Sequence, residues 1–426
     1  MDATAPTPPA APIDVVDGDI TAAQGFVAGG DRCGLKPSGR KDVGGILSER
    51  PATAAGTFTT NKVKAAPVLL CQEVLSRLGT PGASARGIVF NSGNANAMTG
   101  ELGLQHARRM QAAFAAGPGA AAGVSPHEVF VASTGVIGVQ LDMDRLEPGI
   151  RGLTLSRDGG ASAIEAMMTT DTVPKTAAAR FVLEPAGARG PLTVAGMAKG
   201  AAMIAPHMAT MLAFLGTDAA VEAAYLQQAL RRAVEDSFNM IVVDGDMSTN
   251  DTVLLLANGA AWDPAVPPLD GSQAACARFE AALRHVCTHL AQAMARDGEG
   301  ASKFLEVQVE GAASDEDARQ IARAIAGSNL TKAAVLGADP NWGRIACAAG
   351  YAGVELDPAK IDIAIGRIQV VRAGLGAAYD PAAASAEMQG REVRFAVHLH
   401  LGSGRATAWG CDLTPEYVRL NSEYTT

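Results

Sequence analysis

Residues 199–215 read Lys-Gly-Ala-Ala-Met-Ile-Ala-Pro-His-Met-Ala-Thr-Met-Leu-Ala-Phe-Leu. Small residues lead through a proline to Ala209-Thr210. An apolar run then starts at once, Met211 to Leu215, and Gly216 follows it. A short apolar run bounded in this way reads as a buried strand that stops at the glycine. It sets the Thr210 hydroxyl at the strand's first position. There the threonine is either ordinary strand filling or a nucleophile. If the chain broke between Ala209 and Thr210, the freed α-amine of Thr210 would be a base next to its own hydroxyl. The same stretch divides the chain. Before it lie short apolar strands with glycine-rich polar loops, and after it longer alternating elements.

Composition bounds the answer. A chain of 426 residues is long enough for two or three domains, and 48% apolar residues are ordinary for a globular enzyme. Only 4% are aromatic, so the core rests on Ala, Val, Leu, Ile and Met. A net charge of −9 argues against nucleic-acid and anionic-membrane partners, both of which want a basic face. The six cysteines (33, 71, 276, 287, 347 and 411) are scattered without a CxxC pair, which fits reduced thiols rather than a zinc site or a disulfide framework. No metal is expected. Residues 1–15 read as a disordered tail; Met1 to Pro12 is Ala/Pro/Thr-rich and lacks the basic and apolar regions of a secretory signal. No apolar stretch is long enough to span a membrane, and the cytoplasm is the expected compartment.

Periodicity fills in the elements. Ile88–Phe90 and Val129–Ala132 read as strands that run into polar loops, 91–96 and 133–135. Leu226, Leu230, Ala233 and Val234 mark one helix face; Phe279, Leu283, Val286 and Leu290 mark another, in a helix ending near Asp297-Gly298. Strands are expected over Met240–Val243 and Val253–Ala257. Residues 393–401 alternate strictly, and Gly402-Ser403-Gly404 then reads as a hairpin turn. Thr414-Pro415 has the form of an N-cap followed by proline at the first helical position. The mixture is α/β or α+β. The chain divides into 16–209 and 210–426, with 330–426 a candidate C-terminal subdomain.

Several polar clusters carry chemistry only in context. Ser133-Thr134-Gly135 follows an apolar strand, and a backbone N–H beside a small hydroxyl can face a developing oxyanion. Residues 244–252 pack three carboxylates into nine residues, but their spacing is not that of a calcium loop, and a self-capped loop is favoured. His285 and His289 lack the glutamate of a zinc-protease helix. His398 and His400 lie on the polar side of the alternating strand. Residues 29–36 (GGDRCGLK) nearly match a phosphate loop, but the lysine is one place late and no Ser/Thr follows, so a nucleotide site is discarded. Residues 297–303 (DGEGASK) place a carboxylate in a glycine-flanked turn, suited to an amine.

These pieces fall together in one resemblance. KGAAMIAPHMATML (199–212) resembles the autoprocessing segment of the ornithine acetyltransferase family, also called bifunctional glutamate N-acetyltransferase. The same is true of PATAAGTFTTNKVKAAPV (51–68), NSGNANAMTG (91–100), STGVIG (133–138), MTTDTVPK (168–175), SFNMIVVDGDMSTNDT (237–252), DGEGASK (297–303) and YVRLNSEYTT (417–426). The resemblance runs from about residue 20 to the last residue, in family order. It implies a four-layer αββα sandwich like that of N-terminal-nucleophile hydrolases, with different connectivity. It implies self-cleavage between Ala209 and Thr210, the two chains (16–209 and 210–426) pairing as α2β2. Thr210 is then the nucleophile, Thr134 and Gly135 the oxyanion pair, and Thr169, Lys199, Thr210, Glu299, Asn421 and Thr426 the substrate contacts. The implied reaction is ping-pong transfer of the acetyl group from N2-acetyl-L-ornithine to L-glutamate. No cofactor is implied, with acetyl-CoA open as a second acetyl donor. An autoprocessed amidase or aminopeptidase, with water as acceptor, is the alternative. His207 departs from the family's usual polar residue three places before the nucleophile.

Overall fold

The apolar run after Thr210 is continuous because both of its faces are covered. The structure, a computed structural model, describes residues 13–78, 82–183, 190–204 and 211–423. Its first sheet holds β1 (Asp14–Val16), β2 (Phe26–Asp31), β3 (Val43–Phe58), β4 (Ala85–Asn94), β5 (Val129–Val136), β6 (Lys175–Phe181), β7 (Leu192–Lys199), β8 (Leu212–Thr217) and β10 (Thr252–Ala257). The second holds β9 (Ile241–Val242), β11 (Phe304–Ala312), β12 (Asp362–Ile365), β13 (Ile368–Arg372), β14 (Leu375–Gly376), β15 (Glu392–His398) and β16 (Gly404–Cys411).

The first sheet runs β1-β6-β7-β8-β10-β3-β4-β5, with β2 also on β3. The 16-residue strand β3 belongs to both halves, and its register against β4 shifts between Leu47 and Ala52. The two halves lie face to face. Ile46, Ile88, Phe90 and Phe130 from one meet Met197, Leu212, Phe214, Leu254 and Leu256 from the other. The Phe90 and Phe214 rings are 5.3 Å apart at their centroids, a pair worth about 0.5–1.5 kcal/mol beyond its buried area. Alternate residues face outward. Val43, Val89 and Val131 pack under the helices Gly100–Ala116 and Met143–Arg151. Val194, Ala213, Leu215, Val253 and Leu255 pack under Ala223–Glu235 and Cys276–Arg296. This is the expected αββα layering. Strands buried on both faces lose polar/apolar alternation, which is why β8 and β10 read as unbroken apolar runs.

The second sheet has the order β14-β13-β12-β15-β11-β16-β9 and is backed by the helices Asp315–Gly327 and Trp342–Gly350. Its members begin well before Leu330, at β9 and β11. Both long helices expected after Thr210 are present. Thr414 accepts the Tyr417 N–H at 3.2 Å, and Pro415 opens the helix Pro415–Glu423, as its sequence indicated. Among the described residues no helix is long and apolar enough to cross a membrane.

Five local expectations are corrected. Gly216 does not stop β8, which continues to Thr217; a Cβ there would sit 3.0 Å from Ile20 and Phe26, so the glycine marks close packing. Residues 402–404 do not close a hairpin. β11 lies between β15 and β16, parallel to one and antiparallel to the other, and the alternation of 393–401 cannot reveal a neighbour from some 90 residues upstream. The loops expected at 91–96 and 133–135 are largely strand, since β4 and β5 pair in parallel out to Asn94 and Val136. Met240–Val243 shortens to Ile241–Val242 after a 3-10 turn at Phe238–Met240. Of the tail expected over 1–15, residues 1–12 lie outside the described residues, and Asp14–Val16 pairs with β6.

Candidate active site

The parallel ends of β4 and β5 build one wall. Ser92 lies opposite Thr134 and Gly93 opposite Gly135. Gly135 has φ +129°, and a Cβ on it would come within 2.5 Å of the Asn94 nitrogen and closer still to the Gly93 carbonyl carbon. Only glycine permits that approach. The Ser133 carbonyl accepts from Asn250 Nδ2 at 2.8 Å, and Ser133 Oγ donates to Asn91 Oδ1 at 2.7 Å. Thr134 is buried, and its Oγ1 accepts a hydrogen bond from Lys199 Nζ at 3.1 Å.

Lys199 ends β7 directly across from Leu212 of β8. The ammonium is fully buried. Burial lowers its pKa, and Asp171 opposes that shift. The next residue, Gly200, donates its N–H to Asp171 Oδ1 at 2.7 Å. Asp171 also accepts the Thr169 N–H at 3.0 Å and Lys175 Nζ at 2.6 Å. Burial pushes the Asp171 carboxyl up, but the ammoniums of Lys175 and Lys199 outweigh it and hold the pKa at about 2. Lys175 Nζ reaches Asp297 as well, at 2.5 Å, and Thr172 donates to Asp297 through both its N–H and its hydroxyl. Asp297 caps the long helix Cys276–Arg296 and opens the loop carrying Glu299. Glu299 donates its N–H to the Ala201 carbonyl at 2.8 Å and accepts Asn421 Nδ2 at 2.9 Å.

The predicted residues Thr134, Gly135, Thr169, Lys199, Glu299 and Asn421 are thus joined through one hydrogen-bonded path along residues 199–201. Ala209, Thr210, Thr426 and His207 lie outside the described residues. The description resumes at Met211, whose N–H is held by Asp251 Oδ1 at 3.0 Å and whose carbonyl accepts the Thr252 N–H at 3.1 Å. Asp251 is buried, and burial pushes its carboxyl up to about 8, against the Met211 hydrogen bond. Its Oδ2 has no hydrogen-bond partner among the described residues. Of the hydroxyls beside it, that of Thr59 donates to the Ser248 carbonyl.

The remaining clusters have other uses. The Asp244 carboxylate takes the N–H groups of Met203, Ile204 and Asp246, which staples the 244–252 loop to the segment before residue 205 and supports the self-capped reading. The phosphate-loop mimic is filled by the protein itself, since Asp42 accepts the N–H groups of residues 33–36. Lys36 from that loop donates to the Met168 carbonyl at 2.7 Å, and burial, then Arg40, lowers its pKa to about 8. No three His, Cys, Asp or Glu side chains converge as metal ligands among the described residues. Sequence reasoning missed Asp171, Lys175, Asp297, Asn250 and Asp251. Each lies inside a stretch that carried the resemblance (168–175, 237–252 or 297–303), but nothing local distinguishes a buried carboxylate from a solvated one.

Chemically, the path has two ends. At one, Lys199 occupies a lone pair of the Thr134 oxygen, which leaves the hydroxyl proton free to be donated. At the other, a carboxylate and a carboxamide suit an ammonium group.

A family model described as the ArgJ family matches residues 27–426. The arginine biosynthesis bifunctional protein ArgJ of Symbiobacterium thermophilum is 52% identical over 413 residues, covering 96% of this chain and 99% of that one. The crystal structure of the arginine biosynthesis bifunctional protein ArgJ from Bacillus halodurans is 45% identical, covers 50% of this chain and 100% of its own, and superposes with a TM-score of 0.49. That of the ornithine acetyltransferase of Mycobacterium tuberculosis, complexed with ornithine, is 37% identical, covers 46% and 98%, and gives 0.41.

Proposed function

The chain belongs to the ArgJ family, and from that premise we propose that it transfers the acetyl group of N2-acetyl-L-ornithine to L-glutamate through an acetyl-Thr210 intermediate. The observation that carries this reading is the buried Lys199–Thr134 hydrogen bond at the start of β8. A buried hydroxyl with its proton free, beside a lysine, is the kind of donor an oxyanion needs, which supports the reading.

The precursor first cleaves itself. Thr210 Oγ attacks the Ala209 carbonyl, the C–N bond breaks, and the hydroxyl proton ends on the freed nitrogen. Water then hydrolyses the ester to a carboxylate on Ala209 and a free Thr210 hydroxyl. In the enzyme, that α-amine takes the proton from Oγ as it attacks the acetamide carbonyl. Thr134 O–H and the backbone at Gly135 face the oxyanion, each well-placed donor lowering the barrier by about 3–4 kcal/mol. The proton passes to the leaving α-nitrogen of ornithine. Glutamate then attacks the ester through its own α-amine and regenerates Thr210. Lys199 suits a substrate carboxylate, and Glu299 with Asn421 an ammonium. Thr169 and Thr426 complete the substrate contacts. No cofactor enters these steps; acetyl-CoA with glutamate is the second donor pair to be assayed. The active particle on this reading is a cytoplasmic α2β2 assembly.

Denaturing mass spectrometry tests the reading. Wild type should give two fragments, the second starting at Thr210, and Thr210→Ala a single intact chain. With N2-acetyl-ornithine alone the second fragment should gain one acetyl group, which added glutamate removes. A wild type that never splits would sink the mechanism. Release of free acetate in place of acetylglutamate would convert it to an amidase.

A further inference from the structure

We propose that the Asn250-Asp251 dipeptide is the positioning element of the site, setting the strand that begins beside Thr210 against the strand that carries Thr134. The inference rests on the reading of Thr210 as nucleophile. Two hydrogen-bond sets carry it. Asn250 Nδ2 donates to the Ser133 carbonyl at 2.8 Å and to the Ala95 carbonyl at 2.6 Å, which fixes the peptide entering Thr134. Asp251 Oδ1 accepts the Met211 N–H at 3.0 Å, and the Thr252 N–H donates to the Met211 carbonyl at 3.1 Å. The N–H of Met211, the residue after Thr210, is therefore held by the residue next to the one that holds the peptide entering Thr134. Two consecutive residues thus tie Met211 and the peptide entering Thr134 to each other, and the backbone between them fixes the separation. All of these groups are buried, so no water can take over a lost bond without entering the core.

The second oxygen of Asp251 fits this role. Oδ2 is buried without a hydrogen-bond partner among the described residues, and Lys199 is the cation whose charge reaches it from β7. A carboxyl so placed is more stable as the neutral acid, and burial raises its pKa accordingly. The neutral acid still offers Oδ1 to Met211. The hold thus needs an acceptor and not a charge, and asparagine can supply one in the same shape. Alanine cannot: it leaves the Met211 N–H unpaired and the entry to β8 free to shift. Misplacement of reacting groups by about 1 Å can cost on the order of a hundredfold in rate.

Self-cleavage is followed in a cell-free synthesis time course, with the two fragments quantified on denaturing gels, and acetyl transfer is measured on the processed enzyme. Asp251→Ala should slow self-cleavage by about 10- to 100-fold and lower kcat with KM within twofold of wild type. Asp251→Asn should restore both rates to within threefold of wild type from pH 6 to pH 9. Asn250→Ala should lower kcat by a similar factor. Wild-type rates in Asp251→Ala would overturn the proposal. So would an Asp251→Asn variant as slow as Asp251→Ala, which would show that the carboxylate itself enters the chemistry. If Asp251→Ala does not fold, the Asp251→Asn rates decide alone, since slow rates there contradict an acceptor-only hold. A wild-type chain that stays intact defeats the Thr210 reading, whereas a wild type that splits alongside an equally fast Asp251→Ala defeats only this inference.

Discussion

Replacing Lys175 by methionine tests whether the buried charges hold the site together. The ammonium lies 2.6 Å from Asp171 and 2.5 Å from Asp297, with all three side chains nearly inaccessible. Breaking a buried pair by removing one partner generally costs about 3–5 kcal/mol, because the other charge is left unpaired. Here the residual donors reduce the loss. Asp171 keeps the N–H groups of Gly200 and Thr169, and Asp297 keeps Thr172. The depression of the Asp171 pKa from 3.8 to about 2, to which Lys199 and the Gly200 N–H also contribute, points the same way. It corresponds to roughly 2 kcal/mol favouring the buried carboxylate, lost in large part without Lys175. The expectation is therefore about 3 kcal/mol, a sizeable share of a typical total near 5–15 kcal/mol. With a urea slope near 3 kcal/mol/M, the midpoint falls by about 1 M at pH 7. The pH dependence follows from the same carboxyl. Its folded pKa lies below its unfolded one, so its contribution is complete above about pH 4 and disappears as pH falls toward 2. The gap between wild type and Lys175→Met should accordingly narrow between pH 4.5 and pH 3. Urea titrations followed by far-UV circular dichroism at pH 7, 4.5 and 3 measure it. A loss below about 1 kcal/mol at pH 7, or a gap unchanged at pH 3, would refute the argument that Lys175 is what keeps the two carboxylates buried.

Three further outcomes are expected. Thr134→Val keeps the shape of the side chain but removes the donor and strands the Lys199 ammonium; kcat for acetyl transfer should drop by about 10²–10³, and an unchanged kcat would exclude Thr134 from the oxyanion site. Gly135→Ala forces β4 and β5 apart at Gly93-Asn94 in a backbone conformation that alanine avoids; strain and overlap together should cost about 2–5 kcal/mol of stability, seen as a lower urea midpoint. Asp251 holds a proton in the folded state up to about pH 8 that it gives up near 3.8 when unfolded, so its effect is to make stability fall as pH rises through that window. In Asp251→Asn the slope of unfolding free energy between pH 5 and pH 8 should become less negative, by up to about 1.4 kcal/mol per pH unit, and identical slopes in the two proteins would contradict a protonated Asp251.

Individual elements were legible where a pattern has a single structural cause, whereas the αββα layering came only from the family resemblance. Helices with one buried face, such as Ala223–Glu235 and Cys276–Arg296, announce themselves by period. So does the Thr414 cap. The second sheet was not legible, for a different reason. An alternating strand such as β15 states that one face is buried but says nothing about its neighbours. Here the neighbour β11 comes from residues 304–312, and the intervening position converts an apparent hairpin into a crossover. Glycine misled in the same way. Gly216 and Gly404 look like punctuation, yet at both a side chain would run into packed neighbours, Ile20 and Phe26 in one case and the Ser314 backbone in the other.

The site divides along a similar line. Residues proposed to meet the substrate, such as Thr134, Lys199 and Glu299, could be named because their stretches resemble a known family. The charges that hold them could not be singled out, since Asp171 and Asp251 are ordinary aspartates until burial is known. Their environments differ in one respect that matters. Asp171 meets the ammoniums of Lys175 and Lys199 and the N–H groups of Thr169 and Gly200, and stays ionised. Asp251 has one backbone donor, from Met211, and burial outweighs it and pushes the carboxyl up to about 8. The same residue type therefore serves as a charge anchoring the segment after Lys199 and as a neutral acceptor anchoring the entry to β8. Exchanging the environments is the decisive contrast. Asparagine should be tolerated at 251, where no charge is needed. At 171 it should not be, because there Lys199 would lose the anion that opposes its burial and Lys175 would keep only Asp297. If Asp171→Asn and Asp251→Asn prove equally mild, charge is not what distinguishes the two positions, and the electrostatic account of the site fails at its centre.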